Sequence, residues 1–214
     1  MSAISFTRLL MITEVKRQLQ QKVGGLFDDT DFDRWFDLAV ADVASRTRCL
    51  RTEATAASVS AQQGYTVPDD CLGPWAISKV RYKNVRLEHH AWDTIEDVIE
   101  QGLALSSSGT PKYWSPYARS FYLTPIPNAA ADEIEIWYAK TSVAVSADSV
   151  ALADVGIPEV YAPAVETFIR HRGLLLGGNE EKAMGAWQLY EHQLGIESQK
   201  SVDDVAGDVA RGAG

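Results

Sequence analysis

Asp29, Asp31 and Asp33 have the D-x-D-x-D spacing with which a calcium loop presents its oxygen ligands. Such a loop needs glycine at its sixth position for the turn and a bidentate glutamate at its twelfth; this chain has Arg34 and Val40 there. Acids just ahead of an apolar helical stripe read instead as capping groups. They satisfy free amides and complement the positive end of the helix dipole.

His89-His90 is the only histidine pair. Adjacent side chains on a strand point to opposite faces, so the two do not grip one metal. Cys49 and Cys71 are too far apart for a zinc-type pair, and no second pair accompanies them. His171 and His192 fall on helical segments and read as solvated or partner-facing. Glu133 and Glu135 share a strand face, but nothing around them supplies a pocket for paired carboxylates. The sequence holds no G-x-S-x-G, P-loop, H-E-x-x-H or G-x-G-x-x-G. These residues predict no catalytic group, no metal and no cofactor.

The tryptophans at 35, 75, 92, 114, 137 and 187 are numerous for 214 residues. Trp35 and Trp187 sit on apolar helical stripes and read as core. Trp75 and Trp114 lie near prolines, and Trp137 faces away from the core side of its strand. Aromatics exposed in this way suit protein–protein contacts.

Two helices open the chain. Ile12, Val15, Leu19 and Val23 form one stripe over Thr13–Val23, ended by Gly24-Gly25. Phe32, Trp35, Phe36, Ala39 and Val43 form another from Asp31 to about Arg48, with Thr30 or Asp31 as its cap. Alternation then replaces the helical period at 55–61, 65–67 and 76–82, with a turn at Asn84 and a return over Val85–Leu87. A short helix is predicted from Asp93 to Gly102. Tyr113–Thr124 reads as an alternating aromatic stretch, and Glu133–Tyr138 as a strand of strict period two. Pro158 opens a helical region at its favoured first-turn position, and Glu180–Leu194 is the last helix.

The expected fold class is α+β: an antiparallel helical bundle from the N- and C-terminal helices, with a central β-rich insertion and an extended C-terminal tail. The expected divisions are 1–52 and 157–196 for the bundle, 53–156 for the β-rich region and 197–214 for the tail. In the tail, Val202, Val205 and Val209 are sparse apolar anchors with Asp203, Asp204 and Asp208 between them, the pattern of a segment that orders on a partner.

Composition bounds the function. The chain is 46% hydrophobic and 23% charged, with a net charge of −9. So acidic a chain does not bind a phosphate backbone over its general surface. The apolar run Leu9–Ile12 is too short for a signal peptide, and no stretch reaches the length of a membrane span. A cytoplasmic product with no membrane partner is therefore expected.

The order of motifs resembles the head-to-tail connector, or adaptor, proteins of tailed bacteriophages. The matching stretches are Asp31-Phe32-Asp33-Arg34-Trp35-Phe36-Asp37-Leu38-Ala39, Ser45-Arg46-Thr47-Arg48-Cys49-Leu50 and Gly64-Tyr65-Thr66-Val67-Pro68-Asp69-Asp70 leading into Ile77-Ser78-Lys79-Val80. They continue with Gly109-Thr110-Pro111-Lys112-Tyr113, Tyr122-Leu123-Thr124-Pro125-Ile126-Pro127 and Ile157-Pro158-Glu159-Val160-Tyr161. The resemblance spans about 10–195 and leaves the tail unmatched. It implies a non-enzymatic virion protein of the neck, assembled in the host cytoplasm. It implies a ring, commonly of twelve copies, that binds the portal protein above and a tail-side neck or tail protein below. Genomic DNA would pass without specific binding through a lumen whose acidic charge repels it.

On this reading Trp75, Trp114, Tyr117 and Trp137 are expected at the subunit interface. Val202, Val205, Val209, Asp203 and Asp204 are expected at the portal contact. Two other readings stand beside it: another neck or tail-completion protein, and a cytoplasmic enzyme of unmarked type with a site under the 102–114 loop.

Overall fold

A computed structural model describes residues 6–19, 25–94, 108–143 and 147–211, with side chains as far as residue 195. Two compact units divide the chain: Met1–Cys49 with Ser142–Gly214, and Leu50–Thr141.

The first unit is helical. Helix α1 spans Arg8–Gln18, where the sequence predicts a helix over Thr13–Val23. It begins earlier because the Thr7 hydroxyl accepts from the Leu10 amide at 3.4 Å and caps it there; residues 20–24 lie outside the described residues. Helix α2 spans Asp29–Thr47. Its cap is Asp28, not Thr30 or Asp31. The Asp28 carboxylate accepts from the Asp31 amide at 2.9 Å, and the Asp31 carboxylate accepts from the Asp28 amide at 3.2 Å. Arg48 ends the helix in the left-handed conformation, φ 51°.

A 3₁₀ turn at Glu159–Tyr161 follows Pro158 and leads into helix α3, Ala162–Leu176, with Pro163 in its first turn. Helix α4 is Glu180–Arg211. Helix α3 packs against α1, α2 and α4. The core between them holds Met11 and Val15, Phe32, Trp35, Phe36 and Val43, Val165, Phe168 and Ile169, and Tyr190 and Leu194.

The second unit is built of short strands. These are β1 (Arg51–Ala57), β2 (Gly64–Thr66), β3 (Ile77–Tyr82), β4 (Val85–Arg86), β5 (Glu88–His89), β6 (Ser108–Gly109), β7 (Tyr113–Tyr117), β8 (Ser120–Thr124), β9 (Ile126–Pro127) and β10 (Glu133–Ala139). One sheet has the order β1-β10-β3-β4 and a second β2-β8-β7-β5, while β6 and β9 form a small parallel pair. The stretch Tyr113–Thr124 is a hairpin, turning at Ala118 with φ 52°. Lys83 and Asn84, at φ 50° and 62°, make the β3–β4 turn, where two left-handed residues match the strand twist.

Both four-stranded sheets feed one core. Val80, Tyr82, Ile134, Ile136 and Tyr138 from the first meet Tyr65, Trp114, Phe121 and Leu123 from the second. Two buried hydroxyls end on carboxylates at its rim: Tyr82 donates to Asp132 at 2.5 Å and Tyr138 to Asp70 at 2.7 Å.

These elements correct the expected fold class. The chain is α+β, but it is not a helical bundle carrying a β insertion. The β content is substantial, three sheets among the described residues, and it closes a hydrophobic core of its own. The tail is not extended either, because the α4 backbone stays helical through Arg211. The residues after Leu194 contain no proline, and among them Gln, Lys, Ala and Arg support a helix intrinsically.

Candidate interaction surfaces

The second unit turns several aromatic rings away from its core. Phe121 and Leu123 are buried, so the alternation of β8 puts Tyr122 on the opposite face. There the Trp92 ring lies 4.8 Å from Tyr117 and 4.6 Å from Tyr122, centroid to centroid, and Tyr117 and Tyr122 are 6.2 Å apart. Gly64 pairs with Tyr122 across β2 and β8 and makes room for its ring: a Cβ at Gly64 would come within 3.0 Å of it. Tyr117 remains 51% exposed, as does Trp75, which follows Gly73.

The outward face of the first sheet carries Trp137 with charges around it. β10 places Trp137 opposite Lys79 of β3 and Glu53 of β1, and Glu135 opposite Arg81 and Thr55. The Lys79 ammonium sits 3.7 Å from the Trp137 ring centroid and the Arg81 guanidinium 5.0 Å from it. Arg81 also pairs with Glu135 at 3.4 Å, and Lys83 with Asp132 at 2.9 Å. Partial burial pushes the Lys79 ammonium below its ordinary pKa, and the nearby Arg81 and Arg86 add to that.

A groove opens beside this face. Ser78, Lys79, Arg86, Leu87, Glu88, His89 and Trp114 line about 310 Å³ of it. His89 packs on Trp114 at 4.6 Å, and burial, then the neighbouring His90, lowers its pKa.

On the helical unit, Leu175, Leu176 and Met184 are exposed around the α3–α4 turn, and Glu180 and Glu181 open α4 beside them. Val202, Asp203, Asp204, Val205 and Val209 fall on the α4 backbone, and their side chains lie outside the described part.

The SU10 adaptor protein family model matches residues 7–212. The chain belongs to that family. No curated protein matches it. Membership makes the chain a bacteriophage adaptor, a structural component of the virion, in agreement with the resemblance read from its motif order.

In this SU10 adaptor several of the residues singled out for possible chemistry have structural partners. Asp29 pairs with Lys16 at 2.6 Å, Asp31 closes the capping box and Asp33 pairs with Arg8 at 2.5 Å. His171 Nδ1 lies 2.8 Å from the Ala183 carbonyl and its ring 5.1 Å from Trp187, while His90 packs on Tyr113 at 4.9 Å. Cys49 and Cys71 are not joined in a disulfide, and the Cys71 thiol donates to the Gly73 carbonyl at 3.2 Å. Among the described residues of the adaptor, no helix is long and apolar enough to cross a membrane.

The expected interface residues part company in the adaptor. Trp75 and Tyr117 are exposed and Trp137 is half-buried under two cations, whereas Trp114 is buried in the core of its own unit. Of the helix predicted over Asp93–Gly102, Asp93 and Thr94 are described and helical; the rest of it, and 102–107 of the 102–114 loop, lie outside the described residues. Trp92, Tyr122 and the Lys79–Arg86–His89 groove escaped the sequence reading. Ile77–Leu87 did carry a signal for the groove: four cations and no acid, in a chain of net charge −9.

Proposed function

We propose that this adaptor assembles into a ring, commonly of twelve copies, between the portal protein of the phage head and a tail-side neck or tail protein, with the genome passing through its centre. The observation that carries the reading is the aromatic surface of the Leu50–Thr141 unit, where Trp75 and Tyr117 stay half exposed. Large rings left in water dominate binding energy when a partner buries them. A ring buries different flanks of each subunit, so Trp75, Tyr117 and Trp137 are assigned to the contact between neighbours. Trp114 is not, because it already fills the core.

The portal is assigned to the end of α4. Val202, Val205 and Val209 follow one another at steps of three and four, which gathers them on one side of a helix, with Asp203 and Asp204 between. The net charge of −9 per copy suits a lumen that DNA traverses without binding, because like charges repel. The adaptor then works by shape and contact alone, in the neck of the virion after assembly in the host cytoplasm.

Sizing the protein alone and mixed with portal tests the ring, and deleting 197–214 tests the portal contact. A discrete ring bound to portal, lost on deletion, is the expected result. A monomer that ignores portal overturns the reading, and undiminished attachment after deletion removes the assignment of α4.

A further inference from the structure

The Lys79–Arg86 groove is a local reversal of sign. The chain carries 20 cationic and 29 acidic side chains, yet Ile77–Leu87 holds four cations and no acid. Two of the four are compensated, Arg81 by Glu135 and Lys83 by Asp132. Neither Lys79 nor Arg86 has a carboxylate within ion-pair distance among the described residues; Glu135 and Glu53 act on Lys79 only from farther off, and burial, then Arg81 and Arg86, leave its pKa lowered. Leu87 and Trp114 give the groove an apolar floor, and Glu88, its one acid, lies in ion-pair range of His90 at 3.7 Å. A cationic, apolar-floored groove of about 310 Å³ fits a segment that offers carboxylates beside aliphatic side chains.

The chain exposes such a segment. At the α3–α4 turn, Glu180 and Glu181 are exposed and have no ion-pair partner among the described residues. Leu176 and Met184, 61% and 64% exposed, lie on either side of them. We infer that the groove receives the Glu180–Glu181 turn of a second copy, with Lys79 and Arg86 meeting the two carboxylates, so that each subunit reads its neighbour's sign as well as its shape. This rests on the ring reading and adds to it a head-to-tail, charge-keyed register, in which the groove of one copy meets the turn of another.

Full-length chains mixed with portal and counted by native mass spectrometry test it in three arms: wild type, Lys79→Glu/Arg86→Glu, and that double variant combined with Glu180→Lys/Glu181→Lys. Circular dichroism checks that each variant folds. Reversing the groove alone should weaken assembly by about tenfold or more, since juxtaposed like charges oppose docking, and reversing both sides should restore most of it. Wild type that forms no ring overturns the ring reading and this inference together. A ring formed as well by the groove variant as by wild type overturns the inference and leaves the ring standing. A loss that the double reversal does not restore also overturns it, because the groove then serves a different occupant.

Discussion

The Tyr190 hydroxyl donates to the Asp42 carboxylate and so ties α4 to α2 at the edge of the helical core. The same carboxylate takes Arg46 at 2.9 Å, and Arg46 reaches on to Glu191 at 2.6 Å while its guanidinium lies over the Trp187 and Tyr190 rings. One aspartate thus holds a phenol and an arginine that the aromatic rings keep together.

Tyr190→Phe keeps the ring and removes the hydroxyl. Loss of a hydrogen bond to a charged group should lower stability by about 1–3 kcal/mol. Urea denaturation checks it; an unchanged midpoint would mean that Arg46 alone satisfies Asp42.

Alkali should loosen both units. Burial raises the pKa of Tyr82, Tyr138 and Tyr190 above the ordinary 10.0, and the hydrogen bonds to Asp132, Asp70 and Asp42 raise them further. A raised folded pKa means that the native state holds its proton where the unfolded chain has lost it. Stability is therefore complete below about pH 10 and declines as the pH climbs above it. Phenolate absorbance should show three tyrosines that ionise late or only with unfolding. A titration in which every tyrosine ionises near pH 10 without unfolding contradicts this.

Arg8 is nearly buried and held by Asp33 at 2.5 Å, with Asp148 at 3.6 Å. Asp33→Asn leaves a buried cation with only the longer contact. Because Asp33 itself is partly exposed, the loss should be about 1–2 kcal/mol, below that for a fully buried pair. A thermal melt of the variant against wild type measures it.

Gly73 has φ 153°, and a Cβ there would sit 2.6 Å from the Trp75 indole nitrogen. Gly73→Ala should cost about 1–3 kcal/mol in backbone strain and swing the indole aside. Its emission spectrum, compared with that of Trp75→Phe, reports the movement. If Trp75 lies between ring neighbours, the same variant should also weaken assembly.

How legible the chain is depends on where its signals lie. Strict alternation in Glu133–Tyr138 is enough to place Ile134, Ile136 and Tyr138 on the buried side of β10, because a strand offers only two faces. Helix α2 is as plain, with a broad apolar stripe behind a run of acids. Its start still shifts to Asp28, since several acids in a row can each cap, and only the reciprocal Asp28–Asp31 bonds choose among them. The Thr7 cap of α1 is hidden because Leu9–Ile12 reads as an apolar run, not as a helical stripe. Tertiary pairing is what the sequence conceals most. Nothing local says that β1 pairs with β10 across some eighty residues, or that two sheets meet over Trp114, so the β region does not declare a core of its own. The groove combines residues from β3, β4, β5 and β7, and the aromatic patch joins Trp92 to a hairpin well downstream.

The helical state of α4 changes what its far end can do mechanically. As an extended strand, residues 197–211 would cover about 50 Å; as a helix they cover about 22 Å. The reach is halved, and in exchange the segment resists bending and compression. A slack tether lets two bodies drift and re-register, whereas a short strut fixes their spacing and carries load along its axis. With the portal docked there as proposed, internal pressure from a packed genome would pass through this segment as thrust along a rod.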